Sequence, residues 1–137
     1  DEKEAGVRAL LNFGHSFGHA LEAETAYTEY LHGEAVSIGM VTAARLSESR
    51  GLCAAGARQR LQTLLSRFDL PVAIPARISI GGMREALKLD KKAVATGLRL
   101  ILLNAIGHAV IDTDSKNDEI IAALEQSTEQ NQASHGE

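Results

Sequence analysis

The chain has 137 residues, 45% of them hydrophobic and 23% charged, enough for one packed core but short for an enzyme that also carries a nucleotide-binding half. A net charge of -4, 4% aromatics and the lack of any Lys/Arg cluster exclude the electrostatic footprint and stacking surface of a nucleic-acid binder. No apolar run reaches the roughly 18 residues of a membrane span, and the single Cys53 cannot close an internal disulfide, so a cytoplasmic protein with no nucleic-acid or membrane partner is expected. The opening Asp1-Glu2-Lys3-Glu4 has neither an initiator Met nor the features of a signal peptide, and the expectation is of a piece cut from something longer.

Over residues 7–26, Leu10, Leu11, Phe13, Phe17, Ala20 and Leu21 recur at three- and four-residue spacing, which predicts an amphipathic helix. His15 and His19 then lie on one face, separated by one turn of about 5.4 Å. Gly14 and Gly18 each cost roughly 1 kcal/mol in a helix interior, so a ligand or an adjoining helix is expected close to the backbone there. His32 follows a break at 27–31 and opens a second apolar run over 33–49, so a helical hairpin would bring it back beside the first pair. That second run is apolar on more than one face, as in a buried central helix, with Gly51 as its stop.

Residues 54–68 predict a third helix with Leu61, Leu64, Leu65 and Phe68 on its inner stripe, followed by an irregular connection at Pro71 and Pro75. Ser79 or Gly81 caps a short helix through Leu89. The apolar run 98–103 and the segment 109–111, joined by a turn over 104–108, predict a β-hairpin. Ser115 or Asn117 caps a last helix through Leu124, and 127–137 is so poor in apolar residues that a disordered tail is expected. The predicted fold is mainly α, a helical bundle with a small β-hairpin, in one domain over 1–126 plus the tail.

Taken alone, two histidines four apart are more often ordinary helix residues than ligands; His32-Gly33-Glu34 together with the Arg8 and Asn12 frame makes a metal site the better reading. Several other polar residues have plain explanations. Glu4 and Arg8 can form a helix-surface ion pair worth about 0.3 to 0.5 kcal/mol, and Asp90-Lys91-Lys92 can be a solvated loop. Glu34 suits the start of a helix, Cys53 a small apolar position, and His108 and His135 a turn and a tail.

The run Gly6-x-Arg8-x-x-Leu11-Asn12-Phe13-Gly14-His15-Ser16-Phe17-Gly18-His19-Ala20-x-Glu22, with His32-Gly33-Glu34-Ala35-Val36-x-Ile38-Gly39-Met40, closely resembles the 3-dehydroquinate synthase family. The match continues through Asp90-Lys91-Lys92, Gly97 and 98–107 in the right order. It implies the C-terminal helical domain of that family, without its N-terminal NAD-binding domain. The activity implied is that of a shikimate-pathway lyase in aromatic amino acid biosynthesis. It converts 3-deoxy-D-arabino-heptulosonate 7-phosphate into 3-dehydroquinate and phosphate, using NAD catalytically and Zn²⁺ or another divalent metal, in a cytoplasmic homodimer.

Residue by residue, the resemblance makes His15 and His32 metal ligands and places His19 over the sugar-phosphate substrate for proton transfer. Arg8, Asn12 and one or both of Lys91 and Lys92 become the groups that hold the substrate's carboxylate, hydroxyls and phosphate, with Glu4 in support. The family's third ligand is a glutamate from an upstream helix, so this chain by itself is expected to bind metal weakly and to be inactive. Ser16 stands where threonine is commoner. Rival readings are other sugar-phosphate cyclases, a metal-dependent polyol or alcohol dehydrogenase, and a noncatalytic metal-binding helical module; the anion-binding set argues against a neutral polyol.

Overall fold

Of the helix expected over 7–26 the structure describes His15–Glu24, residues 7–13 and 26 lying outside the described residues; Gly14, whose φ of 84° lies in the left-handed region, forms its cap. The structure is a computed structural model describing residues 14–25, 30–90, 100–105, 108–112 and 115–129. Its elements are α1 (His15–Glu24), α2 (His32–Ser49), α3 (Ala57–Arg67), α4 (Ile80–Asp90), strands β1 (Leu100–Ala105) and β2 (His108–Asp112), and α5 (Asn117–Gln126). The mainly helical architecture with one hairpin is the one expected.

Helix α2 is the centre of the bundle, packing on α1, α3, α5 and β1. Its Ala35, Ile38, Val41, Ala43, Ala44 and Leu46 are all buried. With Phe17 and Leu21 of α1, Met83 and Leu87 of α4, and Ile120 and Leu124 of α5, most of them form the core. A helix buried on several faces must satisfy its polar side chains internally. Thr42 Oγ1 donates to the Ile38 carbonyl at 3.0 Å, Ser47 Oγ to that of Ala43 at 2.7 Å, and Ser37 Oγ to that of Pro71 at 2.7 Å.

Helix starts follow side-chain chemistry more closely than apolar periodicity does. The Leu31 N–H donates to Glu34 Oε1 at 2.9 Å, so Glu34 is the helix-start residue expected. Ser79 Oγ accepts from the Gly82 N–H at 2.9 Å, which makes Ser79 rather than Gly81 the cap of α4. The cap of α5 is Lys116, one residue from either expected candidate, and its N–H donates to Glu119 Oε1 at 2.8 Å.

Two further expectations are corrected. On α3, Leu65 is buried, but Leu64 and Phe68 are 52% and 70% exposed. The pairs 61/65 and 64/68 are each one turn apart yet lie about 60° from each other around the helix, and only the first stripe faces α2. The antiparallel hairpin pairs Leu100 with Asp112 and Ala105 with His108, so of the turn expected over 104–108, Asn104 and Ala105 belong to β1 and His108 to β2.

Residues 127–129, at the start of the expected tail, are hydrogen-bonded back to the fold. The Ile74 N–H donates to the Ser127 carbonyl and the Glu129 N–H to the Ile74 carbonyl, both at 2.8 Å, and Ser127 is fully buried. Ile74 lies in the irregular stretch between Pro71 and Pro75, where its backbone groups need partners from elsewhere; low hydrophobicity did not reveal this tie. Residues 130–137 lie outside the described residues. Ending the chain at Gln126 should remove both bonds, worth about 0.5 to 1.5 kcal/mol each. The midpoint of thermal unfolding, followed by circular dichroism, should then fall by several degrees.

Candidate metal centre

Helices α1 and α2 run antiparallel, as their contacts show in sequence. Gly14 lies against Met40, Gly18 against Ala35 and Val36, and Glu22 against His32. The approach is close because both helices carry glycine at the crossing. A Cβ on Gly14 would come within 2.5 Å of Met40 Cγ, and one on Gly39 within 2.6 Å of the Gly18 nitrogen. The close neighbour expected at Gly14 and Gly18 is therefore the adjoining helix.

This crossing assembles the histidines. His15 and His19 share one face of α1, and His32 is the first residue of α2. Ring centroids are 5.9 Å apart for His15 and His19, 5.4 Å for His15 and His32, and 5.8 Å for His19 and His32. One nitrogen from each ring lies within 4.8 Å of those of the other two. His15 and His19 are half-buried, and His32 has a side chain 55% exposed.

The electrostatics suit a cation ligand. Burial, then His32 and His19, hold the His15 imidazole below its usual protonation range, against an opposing pull from Glu22. A neutral ring is the form that donates a lone pair to a metal. Two imidazole nitrogens on one tetrahedral ion at about 2.0 to 2.1 Å lie roughly 3.3 Å apart. The observed spacing thus needs side-chain rotation of about an ångström, and the residues fit a divalent ion.

Glu22 is the residue that sequence reasoning passed over. It is buried, with a side chain only 9% exposed, and both its oxygens face Nδ1 of His32, at 3.2 and 3.3 Å. The signal was there: Glu22 follows His15 by seven residues and His19 by three, so all three occupy one stripe of α1.

Glu34 is half-buried and engaged in starting α2. Cys53 is half-buried, and burial followed by the Glu48 charge pushes its thiol up, in keeping with an unreactive filler. Glu4, Arg8, Asn12, Lys91, Lys92 and His135 lie outside the described residues, so the expected anion-binding set is not placed. A polar surface hollow of about 550 Å³ on α3, lined by Arg58, Gln62 and Arg67 among others, includes none of the histidines.

Comparison with known proteins gives the geometry a context. A family model described as 3-dehydroquinate synthase C-terminal matches residues 1–93. The 3-dehydroquinate synthase of Dichelobacter nodosus is 49% identical over 133 residues, covering 97% of this chain and 36% of that protein. The one from Colwellia psychrerythraea is 47% identical over 118 residues, 86% of this chain and 33% of that protein. The chain thus spans about a third of the length of the curated relatives it matches.

Among solved structures, a 2-epi-5-epi-valiolone synthase from Streptomyces hygroscopicus subsp. jinggangensis, with NAD⁺ and Zn²⁺ bound, superposes with a TM-score of 0.75. It is 34% identical and the match covers 87% of this chain and 32% of that one. A 2-deoxy-scyllo-inosose synthase complexed with carbaglucose-6-phosphate, NAD⁺ and Co²⁺ gives 0.67 at 22% identity, over 85% of this chain and 34% of that one, a likeness of fold. Among the described residues, no helix is long and apolar enough to cross a membrane.

Proposed function

We propose that this chain, which belongs to the 3-dehydroquinate synthase C-terminal family, provides the metal-binding part of a 3-dehydroquinate synthase. The reaction is conversion of 3-deoxy-D-arabino-heptulosonate 7-phosphate to 3-dehydroquinate and phosphate, a step of the shikimate pathway, in a cytoplasmic, homodimeric enzyme. The observation that carries this reading is the convergence of His15, His19 and His32 from two helices.

In this reading His15 and His32 hold the ion. His19, on the same face as His15 but one turn on, moves a proton at the substrate, a task that an imidazole performs near neutral pH. Arg8, Asn12 and one or both of Lys91 and Lys92 together hold the substrate's carboxylate, hydroxyls and phosphate; a guanidinium offers a bidentate fork and an ammonium a point charge. When bound, the divalent ion supplies Lewis-acid stabilisation of negative charge developing on substrate, and NAD supplies hydride exchange.

The valiolone synthase likeness favours one rival, a cyclase for a different sugar phosphate. Identity of 49% over 97% of the chain supports the heptulosonate instead. The discriminating test places this chain in the matching third of the D. nodosus relative and measures phosphate release with NAD and Zn²⁺. Release from the heptulosonate 7-phosphate, and little from a ketose phosphate lacking the carboxylate, is expected. The reverse preference would move the reading to the rival. The 137-residue chain alone should release no phosphate, because it holds two of the ligands assigned to the ion.

A further inference from the structure

We propose that Glu22 is a positioning residue of this centre: its carboxylate, buried at the α1–α2 crossing, accepts the Nδ1 hydrogen of His32 and so fixes which ring nitrogen His32 offers to the metal. The inference rests on the reading of His32 as a ligand and goes beyond it in assigning Glu22.

The argument is one of donors and acceptors. A carboxylate offers only acceptors, so a ring nitrogen facing both of its oxygens, at 3.2 and 3.3 Å, must carry the hydrogen. The nitrogen left with a lone pair is Nε2. The exposures make the direction of control plain, since the Glu22 side chain is 9% exposed and that of His32 is 55% exposed. The buried carboxylate is therefore the fixed partner, and the imidazole at the surface is the one that needs orienting.

A histidine ligand whose second nitrogen donates to a carboxylate has its tautomer and ring plane set and its basicity raised. Loss of such a partner typically costs about 10- to 100-fold in metal affinity. The position also fits the pattern of α1. Glu22 continues the stripe of His15 and His19, so one helix supplies a ligand, the proton-transfer histidine and the support for the ligand on α2.

The test uses the full 137-residue chain and two readouts. The first is the ¹⁵N chemical shifts of the His32 ring in metal-free protein at about pH 8, above the ordinary imidazole range. The second is Co²⁺ affinity followed by its visible absorption. Wild type should show hydrogen on Nδ1 of His32. In Glu22→Ala the ring should move towards the Nε2–H form, and Co²⁺ should bind about 10- to 100-fold more weakly. Glu22→Gln keeps the volume and one acceptor oxygen, and should retain the tautomer with an affinity between the two.

A purely structural tie between the helices would change stability without changing tautomer or affinity in the folded variants. Hydrogen on Nε2 in wild type, or unchanged Co²⁺ affinity in Glu22→Ala, would overturn the proposal. A wild-type chain that takes up no Co²⁺ overturns the ligand reading and this inference with it, whereas wild-type uptake unaltered by Glu22→Ala overturns this inference alone. Should Glu22→Ala fail to fold, the wild-type ring shifts and the Glu22→Gln titration decide the matter.

Discussion

Replacing His15 with Ala should weaken Zn²⁺ binding by more than about 100-fold, beyond what losing an outer hydrogen-bond partner costs, while the helices stay folded. The ring is half-buried at the first residue of α1, and Ala is the better helix former there. Removing it also relieves a group whose charged form is disfavoured by burial and by two neighbouring imidazoles. Stability without metal should therefore change little.

His32→Ala should lose the metal to the same degree but for an additional price in stability. It leaves the buried Glu22 carboxylate without its Nδ1 partner, and an unsatisfied buried acceptor costs about 1 to 3 kcal/mol. Competition with a chromophoric chelator measures the first effect and urea unfolding in the absence of metal the second. Equal loss of metal with unequal loss of stability is the expected pattern. Retention of Zn²⁺ by either variant would remove that histidine from the ligand set.

The second large effect is expected at Gly39. Its added Cβ would meet the carbonyl oxygen of Gly14, the cap of α1, and, at 2.6 Å, the Gly18 nitrogen within α1, both of them backbone atoms. Side chains can rotate away from such a contact, but a helix backbone at a crossing cannot. Ala gains roughly 1 kcal/mol in helix propensity over Gly. Overpacking of this kind typically costs 1 to 3 kcal/mol and occasionally more, so the clash should win.

Site and fold should fail together in Gly39→Ala, because the same crossing sets the distance between His15 and His32. Gly33→Ala on the same helix is the control of opposite sign: nothing lies within 4 Å of its Cβ, and up to about 1 kcal/mol of stabilisation is expected. Thermal unfolding of both variants, with Zn²⁺ titration of the folded fraction, checks the pair. A Gly39→Ala chain as stable as wild type would mean that the two helices are not in contact there.

The helices and the histidine trio were legible because both depend on short spacings. Apolar periodicity marks α2, and an i, i+4 pair followed by His32 at the head of the next apolar run places three imidazoles together. Gly14 and Gly18 were read correctly as signs of close approach, but not Gly14 as a cap, since a left-handed φ leaves no mark in composition. Leu64 and Phe68 look inward on spacing alone; which of two adjacent stripes is buried depends on where α2 lies. The pairing of Ile74 with 127–129 uses backbone groups that every sequence possesses. Glu22 was overlooked because a carboxylate on a helix usually faces water, and only the return of His32 gives this one a reason to be buried.

The most direct measurement is an anomalous-difference map from a crystal of the chain grown with Zn²⁺. One peak is expected within about 2.0 to 2.1 Å of a nitrogen of His15 and of Nε2 of His32, with Glu22 still on the other nitrogen of His32. A peak elsewhere, or none in a folded chain at saturating Zn²⁺, would contradict the metal centre and the function built on it.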